Sequence, residues 1–164
     1  MIVLTNKRVL LQKNSKQMIT KKDIYTFTTY HLIKSEDLNH HGSLFAGRSA
    51  EWFVEAGFIA AAAELDPNNL ICFKIHGMTF RSPLRLGQTV CYTSRFVYAG
   101  RTSCVTNIEV NVINDPTVLV SGFITFVHVN EHTVATPHYL EMVPTNEYEQ
   151  DLQDKAKDLK RKES

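Results

Sequence analysis

The sequence is short of the residues that small proteins use as staples. It holds three cysteines in 164 residues, Cys72, Cys91 and Cys104, an odd number without metal-ligand spacing. Each falls in an apolar run, so the expectation is buried free thiols in a reducing compartment, the cytoplasm, with no disulfide framework. An excess of charge is missing too. Eighteen basic residues against 17 acidic ones leave no field that would draw nucleic acid or an anionic membrane surface as a main partner. Nor is there a long uninterrupted apolar stretch. The most apolar segment, Ala46 to Leu65, is broken by Arg48, Glu51, Glu55 and Glu64, and those charges within about one bilayer length argue against a membrane span. Acids are absent from Met1 to Lys22, whose apolar pieces Ile2 to Leu4 and Val9 to Leu11 are too short for a secretory signal. That segment is expected to be a basic, poorly ordered lead-in. Internal repeats are absent, and low complexity is confined to the charged C-terminus.

What is present begins with that apolar segment. Trp52, Phe53, Val54, Phe58, Ile59 and the alanines around them give no single amphipathic stripe, so the prediction is a long helix wrapped by other structure. Its small residues, Ala50, Ala56, Gly57 and Ala60 to Ala63, let sheet backbone come close. Asp66-Pro67-Asn68-Asn69 ends it. Ahead of it, Ile24 to Ile33 has strand composition, and Ser35 to Ser43 is loop.

Four more strands are expected after the helix: Leu70 to Phe80, Thr89 to Tyr98, Ser103 to Ile113 and Thr117 to Val129. Strict alternation in the third of these, with Cys104, Thr106, Ile108 and Val110 opposed to Asn107, Glu109 and Asn111, predicts one buried and one wet face. Asn130 to Pro144 reads as irregular. Asn146 to Arg161 is polar nearly all round and reads as a solvated helix with Leu152 and Leu159 as anchors and fraying last turns. The division is a lead-in at 1–22, a core domain at 23–140 and a charged helix or tail at 141–164. Short links require antiparallel neighbours. The class is therefore α+β, an antiparallel sheet wrapped around one long central helix, with sheet edges best covered by a second copy.

The residues also carry a family resemblance. Asp37-Leu38-Asn39-His40-His41-Gly42-Ser43-Leu44-Phe45-Ala46-Gly47 resembles the D-x-N-x-x-G-x-x-F/H-G-G segment of hotdog-fold acyl-CoA thioesterases, the group of the brain-type and bacterial broad-range acyl-CoA hydrolases. Phe80-Arg81-Ser82-Pro83 with Leu86-Gly87, the Gly100-Arg101-Thr102-Ser103 turn, and Phe126-Val127 are similar to that group's later motifs, in the same order. The resemblance implies a hotdog fold, an acyl-CoA substrate with coenzyme A as part of it and no separate cofactor or metal, and a site at the interface of a homodimer, tetramer or hexamer.

Thioester hydrolysis needs a held water, a proton acceptor and donors for the oxyanion. By resemblance Asn39 orients the water or the carbonyl; read on its own it is rather an Asx turn or helix-entry cap. Gly42 and Gly47 flank the helix start, where backbone N–H groups can face an oxygen. The family's acid falls on Val54, which cannot take a proton. Glu55, about 100° around the helix, and Glu51, about 60° away, are the candidates to replace it, against a reading in which Arg48, Glu51 and Glu55 form a paired surface stripe. His40 and His41 are candidate loop bases or substrate contacts. Arg81, Arg85 and Arg101, with Thr102 and Ser103, are candidates for the coenzyme A phosphates, where a guanidinium binds bidentately. Two alternatives stay open: a protein that binds acyl-CoA without cleaving it, and a dehydratase on the same fold.

Overall fold

The computed structural model describes residues 18–162. In chain order its elements are β1 (Thr20–Asp23), β2 (Thr26–Leu32), α1 (Ala46–Ala62), β3 (Leu70–Phe80), β4 (Thr89–Ala99), β5 (Ser103–Val112), β6 (Val120–His128), β7 (Leu140–Val143) and α2 (Glu147–Arg161). Five strands form one antiparallel sheet in the order β2-β4-β5-β6-β3, and β1 pairs with β7 in a separate two-stranded parallel ladder. The expected basic lead-in lies largely at residues 1–17, outside the described residues; its last part, Thr20 to Lys22, belongs to β1.

Helix α1 lies on one face of the sheet, touching β4 and β5 above all. Its buried residues are Ser49, Trp52, Phe53, Ala56, Gly57, Ala60 and Ala61, a stripe with helical period. Within one chain the sheet covers a single stripe, and Glu51, Glu55 and Ile59 face outward. Close approach is made by Gly57, where an added Cβ would stand 2.9 Å from Thr106 Oγ1 and 3.0 Å from Ile108 and Ile124 Cδ1. Burying a ring such as Phe53, fully enclosed here, contributes about 1.5–3 kcal/mol.

The other face was expected to be wet, and it is not. Helix α2 lies across it, and Val105 and Asn107 of β5 are buried beneath. Polar as α2 is, it buries Glu149, Leu152, Gln153 and Ala156 along one side. Gln153 Nε2 donates to the carbonyls of Val97 (3.0 Å) and Met142 (2.8 Å), which fixes the helix to β4 and β7 at once. Glu149 closes the N-terminal turn, accepting from Thr145 N (2.7 Å) while Asn146 Oδ1 caps Glu149 N. The fraying expected at its end is absent as far as Arg161. The region read as irregular contains β7, for the same reason: Gln153 and β1 supply partners that the local sequence does not announce.

Two smaller differences complete the comparison with the sequence. Strand β6 begins at Val120 and not at Thr117, and the segment Ile24 to Ile33 splits into a buried Ile24 and β2. Cys91 and Cys104 are buried free thiols, but Cys72 is exposed on the edge strand β3.

Candidate active site

The motif segment folds into a tight loop that leads straight into α1. Asp37 anchors it. Its carboxylate is 4% exposed and accepts from Lys34 N (2.9 Å) and Arg48 Nε (3.2 Å), while its carbonyl accepts from Phe45 N (2.8 Å). Leu38 and Leu44 then bridge antiparallel, and Asn39 N donates to Ser43 O (2.8 Å). Gly42 supplies the left-handed backbone, φ 72°, that reverses the chain.

Asn39 organises this reversal with its side chain. Oδ1 accepts from His41 N (2.9 Å) and Ser43 N (3.3 Å), and Nδ2 donates to Ser43 Oγ (3.1 Å). This is the Asx-turn reading of Asn39. It leaves one Nδ2 hydrogen uncommitted, because the amide has two donors. His40 and His41 are exposed, with ring centroids 3.9 Å apart.

Helix α1 starts without a side-chain cap: Phe45 holds the N-cap position in extended backbone. Ser49 N reaches Phe45 O (3.0 Å), so the N–H groups of Ala46, Gly47 and Arg48 have no protein acceptor among the described residues. They form a positive helix end beside a cleft of about 330 Å3 lined by Asn39, Ser43, Ala46, Ser49, Phe80 and Arg81, with the Ser82-Pro83-Leu84 turn. The Phe45 ring folds back on Gly47, where an added Cβ would collide with its Cε1. A side chain at 47 would therefore dislodge the ring at the mouth of the helix.

Ser49 is a cleft residue that sequence reasoning missed. It is buried, and its Oγ pairs with Tyr92 Oη at 3.0 Å. Burial pushes the Tyr92 phenol up to about 12, so it stays protonated. Tyr92 in turn packs edge-on against His31 and Trp52, which stack on each other at 4.3 Å. Burial lowers the His31 pKa below its ordinary value, and the imidazole is held neutral at neutral pH. The only sequence signal for Ser49 was its place on the helix face opposite Glu51.

The predicted site residues divide into two groups. Asn39, Gly42, Gly47, His40, His41, Arg81 and Arg85 gather at one end of the sheet, Arg85 bridging Ser43. Arg101, Thr102 and Ser103 lie at the other. They follow Ala99, whereas the cleft adjoins the start of β4 through the Ile33–Gln88 and Leu44–Leu84 contacts. An eleven-residue strand separates the ends, which at about 3.3 Å per residue is over 30 Å. Within one chain Arg101 therefore does not converge with Arg81 and Arg85. Ser103 is also buried, its carbonyl accepting from His138 Nε2 (3.1 Å).

The two glutamates stand on the outward face of α1, away from the cleft of their own chain. Glu51 Oε2 accepts from Arg48 Nη1 at 2.7 Å, so the Asp37–Arg48–Glu51 chain realises the paired-stripe reading as far as Glu51. Glu55 is exposed one turn further on, and Val54 is half-buried between them. Among the described residues no group of three His, Cys, Asp or Glu side chains is placed to hold a metal, and no helix is long and apolar enough to cross a membrane.

Residues 41–118, which run from this loop through β5, match the Thioesterase superfamily family model. The chain is similar to that superfamily over this stretch, and its fold is the hotdog fold. Over 77 residues it is 34% identical to the acyl-CoA thioester hydrolase YciA of Escherichia coli K12, covering 45% of this chain. The chain spans about half, 55%, of the length of the curated relatives it matches. A Staphylococcus aureus acyl-CoA hydrolase solved with butyryl coenzyme A superposes with a TM-score of 0.78 at 18% identity, over 87% of this chain and 88% of that one. A hexameric thioesterase of Yersinia pestis gives a TM-score of 0.61 at 25% identity, over 66% and 91%. The hotdog assignment covers both the five-stranded antiparallel sheet and the helix packed against it.

Proposed function

We propose that this hotdog domain hydrolyses the thioester of an acyl-CoA, releasing a carboxylic acid and coenzyme A. The observation that carries the reading is the uncapped start of α1 opening on the cleft beside Asn39. A thioester carbonyl seated there meets the N–H groups of Gly47 and Arg48, which stabilise the negative oxygen as water adds. The remaining Nδ2 hydrogen of Asn39 points the carbonyl or the water, and the turn that occupies Oδ1 holds the amide in place. No cofactor enters the scheme.

The base comes from a second copy. Strand β3 is an edge of the sheet, eleven residues long, with Ile71, Phe73, Ile75 and Phe80 exposed; Phe73 reaches 63%. An uncovered apolar edge of that length is a template for pairing. Antiparallel β3–β3 pairing about a two-fold axis sets the far end of the partner's sheet beside the cleft end of this one. It brings the partner's α1 face, with its Glu51 and Glu55, toward Asn39, and the partner's Arg101 turn toward the coenzyme A phosphates together with Arg81 and Arg85. A homodimer is then the functional unit, and tetramers or hexamers are assemblies of it. Three free thiols suit a reducing cytoplasmic setting.

The test is free-thiol release from short, medium and long acyl-CoAs. Asn39→Ala is expected to lower kcat by about two orders of magnitude, and Glu51→Gln or Glu55→Gln by a similar factor for whichever carboxylate acts. Full activity in both glutamate variants would reject the base assignment. The half-buried Val54 favours one rival, an acyl-CoA-binding protein without turnover; tight binding with no thiol release would select it.

A further inference from the structure

A cavity larger than that cleft lies on the opposite face of the sheet and shares only Arg81 with it. It measures about 560 Å3 and runs between α2 and strands β3, β5 and β6. Its floor is a cross-strand row in which Asn107 stands opposite Phe123, and Phe123 opposite His76. Leu152, Leu159 and Val118 add apolar surface, and Arg81, Lys155 and Lys162 add positive charge.

The charges around it do not balance. Its two acids are committed elsewhere, Asp158 to Arg161 (3.2 Å) and Glu109 to Arg95 (3.3 Å) and the Tyr148 hydroxyl (2.6 Å). Lys155 is held by Asp151 at 2.7 Å. Arg81 and Lys162 have no ion-pair partner among the described residues.

Asn107 supplies the second observation. Its side chain is buried, with the residue 2% exposed, and Nδ2 donates to the carbonyl of Gly122 at 3.2 Å. Oδ1 has no hydrogen-bond partner among the described residues. Turning the amide over would set two oxygens against each other at Gly122, so the open group is an acceptor. His76 Nε2 is already engaged with Thr125 Oγ1 at 2.8 Å. Buried acceptors left open are rare enough in folded proteins to need a reason.

We propose that this cavity is a second ligand site, built for a small amphipathic anion. The acidic end sits at Arg81 and Lys162, an apolar or aromatic body covers Phe123 between Leu152 and Leu159, and an N–H or O–H of the ligand donates to Asn107 Oδ1. The three requirements are met by three different parts of the wall, which is what distinguishes a selective pocket from a greasy groove.

The probe 8-anilinonaphthalene-1-sulfonate combines a sulfonate, fused rings and an anilino N–H. Titrated against the full chain, it is expected to bind one molecule per chain at this site, with a rise in fluorescence. Asn107→Leu keeps the volume and removes the acceptor, weakening binding about three- to tenfold. Leu159→Trp fills the cavity from α2 and abolishes binding, and circular dichroism checks that both variants fold. Should either fail to fold, Lys162→Gln at the rim serves in its place, with about a threefold loss. Unchanged affinity in the folded variants overturns the proposal. So does the absence of binding at millimolar probe, which would leave a hydrated groove, and so does binding only by dissociated single chains, which would make the cavity the seat of a second copy.

Discussion

The two helices of this domain each contradict their own composition. Helix α1 is apolar nearly all round, yet within one chain it buries a single stripe and shows Ile59 and the rims of Val54 and Phe58 to the outside. Helix α2 is polar nearly all round, yet it closes a whole face of the sheet through Leu152, Gln153 and Ala156. The difference teaches that hydrophobicity of a helix reports how much of it some surface must cover, not whether the surface belongs to the same chain. The excess apolar area of α1 is what the proposed second copy would cover. The sparse anchors of α2 suffice because a buried glutamine satisfies two carbonyls that would otherwise be orphaned.

The contrast breaks most readily at Leu152. If α2 is an integral layer, Leu152→Ala costs about 2–5 kcal/mol in urea or guanidinium unfolding; a merely solvated helix would lose a few tenths. Gly57→Ala tests the other layer. With contacts near 3 Å waiting for the new methyl group, α1 must lift from β5 and β6, and the expected loss is about 1–3 kcal/mol. A neutral or stabilising result would mean that α1 is looser than its packing suggests.

The smallest effect is a slope with pH. His31 packs beside α1, and His138 sits between Ser103 and β7 on the side of α2. Burial lowers both pKa values from 6.5. Below pH 6.5 the unfolded chain therefore takes up protons that the folded chain refuses, so stability falls as pH drops through that value toward the folded pKa values and then levels off. Thermal midpoints across pH 5 to 8 in His31→Gln and His138→Gln assign the slope to one face or the other. A slope unchanged in both variants would remove these histidines as its source.

Where the sequence was legible, punctuation made it so. Strand β3 was read to its bounds because Asp66-Pro67-Asn68-Asn69 precedes it and Arg81-Ser82-Pro83 follows it. The hotdog assignment came from motifs whose glycines and turns the fold uses directly, such as Gly42 at φ 72°. Strand β7 stayed hidden because four residues of β structure depend on β1, far away in sequence. The alternation in β5 told which side Asn107 takes but could not tell that α2 would cover it.

The candidate site shows the same limit more sharply. Asn39 has one chemical repertoire for turn-building and for catalysis, and the structure shows the turn in full. Ser49 gave no motif at all. Arg101 was grouped with Arg81 by its chemistry alone, and only the strand between them reveals the distance.

The short parallel ladder of β1 and β7 has a practical consequence. It latches Thr20–Asp23 to Leu140–Val143, and Met142 beneath it is held in turn by the glutamine of α2. A gene trimmed to encode only residues 24–139 would discard both rails of the latch and everything fastened to them. The shortened product would bare Val97 and Val105 to water and come out of the cell as aggregate.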